Sequence, residues 1–558
     1  MPDSRSIRVF TLYPGVPSDP LRGGLEFVNI DSGAGAYETI SYVWGDPSKT
    51  HGMVCDGVEV LITKSLHGAL TCLRLPHASR RLWADQICID QENTEEKSSQ
   101  IPLMNVIYRN AKHVLFTRAW IVQEIGTRAP ATLFWGDVYI EWEVLHSVCK
   151  DLTDYHHLRK EVDIQTPKVK YMYRRFIEPD RSSRHANRFS FLYELHRARH
   201  LMASDPRDRV YAMLGHYSIR NTPNQEIRAL KPDYSKTLEE VYNDVATRGL
   251  IGDDKSLLTL ASVQHKTVPS KQHALELSSL DYSSVSPNKL PSWVPDWRTY
   301  QSHILSEPTS PHRASGALRS SLQVDGSSKT IYIKGVIVDT IAAHSKSFQP
   351  REFHVNGSEY SNVIEKIWRE VCEESDFDLA SRYLPTARTT SQQQDKEKGL
   401  EDGKSSAVFA YLQTLSNACV AVAWQDNQPY ESASKDMWLA HGAAYLVRAA
   451  GKSCAISESL RDLAKAGDAA KWARAANGAS RNRVFAKTKD GYYVLGPKTM
   501  EPGDIVCVLL GGKMPFCLRP WGNKYLLLGE CYVHGIMNGQ AVDGSRGEEM
   551  TRTVFEIV

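Results

Sequence analysis

Several absences bound what this chain can do. Its ten cysteines stand singly. No CxxC pair occurs, so zinc-ribbon spacing is missing. Most of them lie in apolar runs such as DIVCVLL, where a reduced, buried thiol is the expectation. The longest run of small apolar residues, ACVAVAW (418–424), is much too short to cross a bilayer, and MPDSRSIRVF at the start lacks the apolar centre of a signal peptide. A cytosolic or nuclear compartment with free thiols follows, with the cytoplasm as the default. The sequon Asn356-Gly357-Ser358 is then silent. Charge of one sign is also missing. With 67 basic and 65 acidic residues the formal charge is +2, which gives no electrostatic footprint for nucleic acid or an anionic membrane. AAGKS (449–453) resembles the end of a phosphate-binding loop, but Leu446 stands where that loop needs a glycine, and GGKMP (511–515) fails in the same way. No GxGxxG follows a strand, so neither an ATPase nor a dinucleotide fold is supported. There is no GxSxG and no HExxH. No metal site is expected, and His534 in CYVHGIM reads as a packing residue. Cys88 in WADQICID reads as a structural thiol, because no basic neighbour lowers its pKa.

What is present is ordinary globular composition, 42% hydrophobic and 24% charged over 558 residues, a length for about three to four domains. Residues 1–150 read as α/β. IRVFTLY (7–13) alternates like an edge strand, and YETISYVWGD (37–46) is rich in β-branched and aromatic residues before Gly45-Asp46-Pro47 turns it. SLHGALTCLRL (65–75) has helical spacing, and RLWADQICID (81–90) is a buried-strand candidate. Asn93 with Glu96 fits a capping box. It opens a helix whose face is Ile101, Met104, Ile107, Tyr108 and Ala111, and Pro102 should kink it or mark its true start. HVLF (113–116) is a short strand, and AWIVQEI begins the next helix. Strands alternating with helices favour a parallel, helix-covered sheet. Residues 151–305 read as helical, with LYELHRARHLMA (192–203) amphipathic, SDPRDRVYAMLG (204–215) a short helix capped by Asp205 and Pro206, and the tryptophans of LPSWVPDWRTY pinning a loop to the core surface. The Ser/Pro-rich 306–330 reads as a polar linker, 331–386 as an α/β segment and 387–406 as a disordered linker. Residues 407–558 read as helices followed by a small β unit with a hairpin turn at Asp490-Gly491.

Polar groups collect after the strands of the first block. Asp46 follows YETISYVWG, Asp85 and Gln86 lie within or after RLWADQIC, and Glu124 lies one turn into the helix after HVLF. Ligands of open α/β sheets bind beyond the carboxyl ends of the strands, so these groups can converge on one cleft. Glu124 stands in the apolar setting RAWIVQEI, where a carboxylate is costly unless paired or hydrogen-bonded. Capping a helix or pairing with Arg118 is the plain alternative.

YETISYVWGD, LWADQICIDQENTEEKSSQIPLMNVIYRNAKHV and RAWIVQE, in that order, resemble the three signature blocks of the fungal heterokaryon incompatibility (HET) domain. SDPRDRVYAMLG, KPDYS (231–235), LPSWVPDWR and the stretch from RVFAKTKDGYYVLG to YVHGIMNGQ resemble the regions that follow it in long members of that family. The resemblance touches most of the chain outside the two polar stretches. It departs from the family at one place: members carry a sizeable insert between the HVLF-like strand and the RAWIVQE block, where only Thr117 and Arg118 stand here. Asp90 is a second departure, replacing an asparagine.

The resemblance implies non-self recognition and regulated cell death when unlike fungal cells fuse, triggered by a protein from an incompatible allele or locus, with self-association a further expectation. It also implies kinship with Toll/interleukin-receptor (TIR) domains and their flavodoxin-like sheet. Some of those cleave NAD with a glutamate four residues after a tryptophan, the spacing of Trp120 and Glu124. By that route Glu124 is the catalytic candidate and Trp44, Asp46, Asp85 and Trp120 the substrate-binding ones, with no cofactor and NAD as substrate. Nicotinamide leaves as a neutral ring and needs no acid. The oxocarbenium-like ribose is what a desolvated carboxylate stabilises. Two other functions compete: an enzyme or accessory protein of a secondary-metabolite pathway using the same cleft, and a catalytically inactive interaction protein, which the missing insert favours.

Overall fold

A computed structural model describes residues 1–16, 18–32, 35–42, 46–116, 130–135, 138–152, 186–200, 203, 205–252, 257–277, 279–327, 329–350, 352–353, 363–385, 406–418, 435–450, 454–542 and 552–558. The chain forms two units, one of Met1–Arg181, Val210–Asn221 and Ala229–Thr237, the other of Ser182–Arg209, Thr222–Arg228 and Leu238–Val558. The stretch 387–405 and the junction at 117–118 lie outside the described residues.

The first unit is built on strands β1 (Ser6–Leu12), β2 (Arg22–Asn29), β3 (Glu38–Ser41), β4 (Lys49–Cys55), β5 (Val58–Thr63), β6 (Arg80–Trp83), β7 (His113–Phe116), β8 (Ala131–Trp135) and β9 (Val138–Glu141). They form one sheet in the order β5-β4-β2-β1-β6-β3-β7-β8-β9. Its centre, β6-β3-β7-β8, is parallel, while β1 runs antiparallel to both β2 and β6. IRVFTLY is therefore an interior strand, not an edge. Ile7, Val9, Phe10 and Leu12 are all buried. Adjacent Val9 and Phe10 point to opposite faces, so both faces of β1 are covered.

Helices α1 (Lys64–Leu73), α2 (Asp85–Cys88), α3 (Thr94–Gln100) and α4 (Met104–Asn110) connect the strands. Thr63 caps α1 by accepting from Leu66 N, and Asn93 caps α3 by accepting from Glu96 N. Pro102 falls in a 3-10 turn, Ile101–Leu103, that separates α3 from α4. The ring it adds and the N–H it removes break the α-helical ladder there. Ile107 and Tyr108 of α4 are buried, and the Tyr108 ring meets Trp83 edge-on at 5.6 Å. KPDYS belongs to this unit too: Lys97 Nζ sits 4.2 Å from the centre of the Tyr234 ring, and Tyr211 Oη donates to Asp233 O.

The second unit contains the helices Ala407–Leu415, Lys435–Ala449 and Ala469–Ser480 and strands β10 (Gln323–Asp325), β11 (Thr330–His344), β12 (Arg483–Thr488), β13 (Tyr493–Pro497), β14 (Ile505–Leu509), β15 (Phe516–Trp521), β16 (Lys524–Glu530), β17 (Tyr532–Val533) and β18 (Thr553–Ile557). The 15-residue β11 serves four partners: β10 over Thr330–Tyr332, β18 over Ile331–Gly335, β14 over Gly335–Thr340 and β12 over Ile341–His344. Because β14-β15-β16-β18 is continuous, the pairing of β11 with both β18 and β14 closes a five-stranded ring. From β11, β12, β13 and β17 extend as a second wing against the helices. Asp490-Gly491 lies in the β12–β13 hairpin, with Gly491 at φ 91°.

LYELHRARHLMA forms a helix over Phe191–Arg197 and a 3-10 turn over Ala198–His200. Phe191 through His196 are all buried, so it is a core helix, not an amphipathic one. In SDPRDRVYAMLG, Asp205 pairs with Arg207 and the helix starts only at Asp208, ending in a 3-10 turn at Gly215. Trp293 and Trp297 are 0% and 1% exposed, inside the core and not on its surface. The Ser/Pro-rich stretch is anchored: Lys513 Nζ donates to the carbonyls of Glu307, Pro308 and Ser310, and Ala314 is buried. No helix among the described residues is long and apolar enough to cross a membrane. The nine described cysteines are free thiols, eight of them buried.

Gly335 stands where β11 passes from β18 to β14. A Cβ there would meet Val508 O at 2.7 Å and the Phe555 ring at 2.9 Å. Gly335→Ala is expected to cost about 1–3 kcal/mol by overpacking, read as a lower Tm of the second unit. An unchanged Tm would show that the ring tolerates the added methyl.

Candidate functional site

Parallel strands deliver the residues that follow them to a single rim. In register, Glu38 faces Leu82 on β6, and Ser41 faces Phe116 on β7, so β3, β6 and β7 end at the same edge of the sheet. At their amino ends, Glu38 takes a two-pronged ion pair from Arg80, with contacts of 2.7 and 2.9 Å. That leaves the carboxyl rim for whatever follows each strand in the chain, at residues 42, 84 and 117. Asp46, Asp85 and the segment carrying Trp120 and Glu124 therefore spring from three neighbouring strands. Trp44, Trp120 and Glu124 themselves lie outside the described residues.

Asp46 sits in a tight turn. Its Oδ1 accepts from Ser48 N at 2.9 Å and from Ser48 Oγ at 2.7 Å. The Ser48 backbone and hydroxyl donors hold its carboxyl below the usual range. Oδ2 has no partner among the described residues. Asp85 opens α2, its Oδ1 accepting from Gln86 N at 2.8 Å, and negative charge is favoured in a first helical turn. Gln86 turns away from the rim: its Oε1 accepts from Thr63 N and Oγ1, tying α2 to the start of α1. Gln91 Nε2 donates to Asp85 O at 2.8 Å and closes the loop.

The sequence reading missed the device that fixes this loop. Glu96 does complete half of a capping box, but its carboxylate does not return to Asn93 N. It accepts from Asp90 N and takes two bonds, 2.7 and 2.8 Å, from the Arg8 guanidinium of β1. Arg8 also donates to Cys88 O. Burial alone would raise the Glu96 pKa, but Arg8 and the Asp90 N–H bring it net below the ordinary value. Asp90 Oδ1 meanwhile accepts from the backbone N–H of Glu92 and Asn93. Only the Asn93–Glu96 spacing signalled this assembly. Cys88, beneath it, is fully buried, and burial pushes its thiol up to about 12, so it is no nucleophile. In the second unit, His534 packs its ring on Tyr383 and bonds through Nδ1 to the Tyr532 hydroxyl, as a packing residue does.

The profile of the family described as "Heterokaryon incompatibility protein (HET)" matches residues 37–117, from the residue before β3 to the residue after β7. The profile of the "Het-6 beta-barrel domain" matches residues 449–551. The chain is 23% identical over 667 aligned residues to "Heterokaryon incompatibility protein 6, OR allele" of Neurospora crassa, spanning 92% of this chain and 91% of that one. No solved structure matches.

Glu96→Gln is expected to cost roughly 2 kcal/mol at pH 7 by leaving the Arg8 guanidinium part-buried and unpaired. A depressed carboxyl pKa stabilises the fold above the unfolded glutamate value and loses that contribution as pH falls through the folded value. The difference between wild type and Glu96→Gln in urea unfolding should therefore be full at neutral pH and vanish in acid. A gap that does not depend on pH contradicts this account of the loop.

Proposed function

We propose, from the match of residues 37–117 to the heterokaryon incompatibility (HET) family and the 23% identity to a heterokaryon incompatibility protein, that the chain is a member of that family and acts in fungal non-self recognition and regulated cell death, in the cytoplasm. Its trigger is association with a protein from an incompatible allele or locus, with self-association of the chain as part of the response. We further propose that the rim above β3, β6 and β7 cleaves the nicotinamide–ribose bond of NAD. Supporting this is the strand order. Numbered along the chain, the parallel strands β3, β6, β7 and β8 lie in space as 2-1-3-4. That is the order of flavodoxin-like sheets, whose ligands sit where the order reverses, between the first and third strands. Here those are β3 and β7, and Glu124 lies in the segment that leaves β7.

In this reading the C1′–N bond breaks with its electron pair passing to the nicotinamide nitrogen. Glu124 stabilises the positive charge left on the ribose. Water then adds to C1′ and releases a proton. Trp120 and Trp44 offer aromatic faces to flat rings. Asp46, through Oδ2, and Asp85 accept from ribose hydroxyls, a positioning role. Apolar neighbours in RAWIVQEI strengthen the field of Glu124 by excluding water.

Purified protein, alone and crowded, is expected to release nicotinamide from NAD. Glu124→Gln should lower the rate by about a hundredfold or more, and Asp46→Ala should raise KM more than it lowers kcat. No release by the wild type removes the chemistry, and full turnover in Glu124→Gln removes the assignment. Death of a fungal host on overexpression tests the recognition role separately.

A further inference from the structure

The second unit holds a group of basic side chains, buried or half-buried, whose polar atoms are partly without partners. His196 is 0% exposed, and neither ring nitrogen has a hydrogen-bond partner. Its ring lies 6.0 Å from that of Tyr300. Arg199, three residues on and 3% exposed, spends its two terminal nitrogens on the carbonyls of Thr299 and Ser262, at 3.2 and 2.7 Å, and its Nε has no partner. The acid that acts on it, Asp296, is already held by the fork of Arg298. Arg481 lies over the other aromatic contact: its guanidinium carbon is 5.4 Å from the centre of the Tyr300 ring, and its Nε is likewise buried without a partner. Arg483 is the exception, paired with Glu530, whose carboxylate is otherwise filled by Leu305 N, Ser306 N and Ser306 Oγ.

A guanidinium answered only by neutral carbonyls remains a net charge in a poorly solvated place. The cost appears in the groups themselves. Burial pushes Arg199 down to about 10, and burial followed by the charge of Arg199 holds His196 well below its ordinary value, so the imidazole is neutral. A neutral imidazole still offers one N–H. A trapped water would satisfy that N–H but would leave both guanidinium charges in place. A carboxylate would answer one of them. A phosphate dianion answers both and has three free oxygens for the fork geometry of arginine. Tyr300, His303 and Arg481 are partly exposed, so the group is reached from the surface.

We propose that His196, Arg199, Tyr300 and Arg481 form a binding site for the phosphate group of a small molecule, in the second unit and independent of the proposed NAD chemistry. The test uses the full chain in chloride buffer, with inorganic phosphate or ribose 5-phosphate added at matched ionic strength. Thermal unfolding should rise by about 2–3 °C at saturating ligand, and titration calorimetry should show one saturable event. Phosphate also stabilises proteins without specific binding, so the variant decides the matter. Arg481→Gln should weaken binding by about tenfold or more, while Arg481→Lys retains part of it. Tighter binding of ribose 5-phosphate identifies a phosphorylated metabolite as the ligand class, and equal binding identifies free phosphate. Absence of saturable binding to the wild type, or an Arg481→Gln response equal to the wild type's, overturns the site.

Discussion

Four residues, Glu38–Ser41, hold the first unit in register. As the middle strand of the parallel set, β3 must accept β6 on one side and β7 on the other, both of which arrive later in the chain. Its short length leaves little freedom. Thr39 and Ser41 are fully buried, Ile40 nearly so, and a slip by one residue would exchange the two faces. The ion pair between Glu38 and Arg80 fixes the amino end of this arrangement, so the carboxyl end is the edge where loops can diverge. Asp46 and Asp85 follow strands that end at one rim because of that register. No local preference of their own loops places them there.

The loop after β6 shows how the rim is stiffened from below. Arg8 reaches from β1 to Glu96, Glu96 bonds to Asp90, and Gln86 and Gln91 bind the two ends of α2. Each bond is ordinary, but together they hold Asp85 between anchored points. Asp90, where the resemblance implies an asparagine, keeps its oxygen on two backbone N–H groups, a role an asparagine oxygen fills equally well. The substitution therefore leaves the turn intact.

Much of the first unit was legible because its elements are local. β3 and β7 were visible as strands, α1 and α4 as apolar faces, and Pro102 as a break, whereas RLWADQICID, read as one strand, ends as β6 at Trp83 and turns into the helix Asp85–Cys88. The position of β1 was not visible. Alternation reports the coverage of one face, whereas Val9 and Phe10 are both buried because β2 and β6 flank the strand. β2, with two glycines and a half-exposed pattern without alternation, carries no strand signal of its own and depends on pairing with β1. At the rim, the commitments of Gln86 to Thr63 and of Asp46 to Ser48 are contacts that spacing cannot reveal. In the second unit, Ser/Pro-rich composition suggested a linker over 306–330, and nothing local announces that Lys513 would gather three of its carbonyls. The basic side chains around His196 were hidden for the same reason: they come from segments roughly three hundred residues apart.

The ring of the second unit has a consequence for how the chain is made. β11 at Thr330–His344 needs β18 at Thr553–Ile557 as a neighbour, and roughly two hundred residues separate them. Until that last strand leaves the ribosome, the amino-terminal half of β11 offers open backbone along one side. Such late, distant pairing slows folding and leaves an adhesive edge exposed meanwhile. Assembly of the second unit is thus a race between completing translation and sticking to a neighbour.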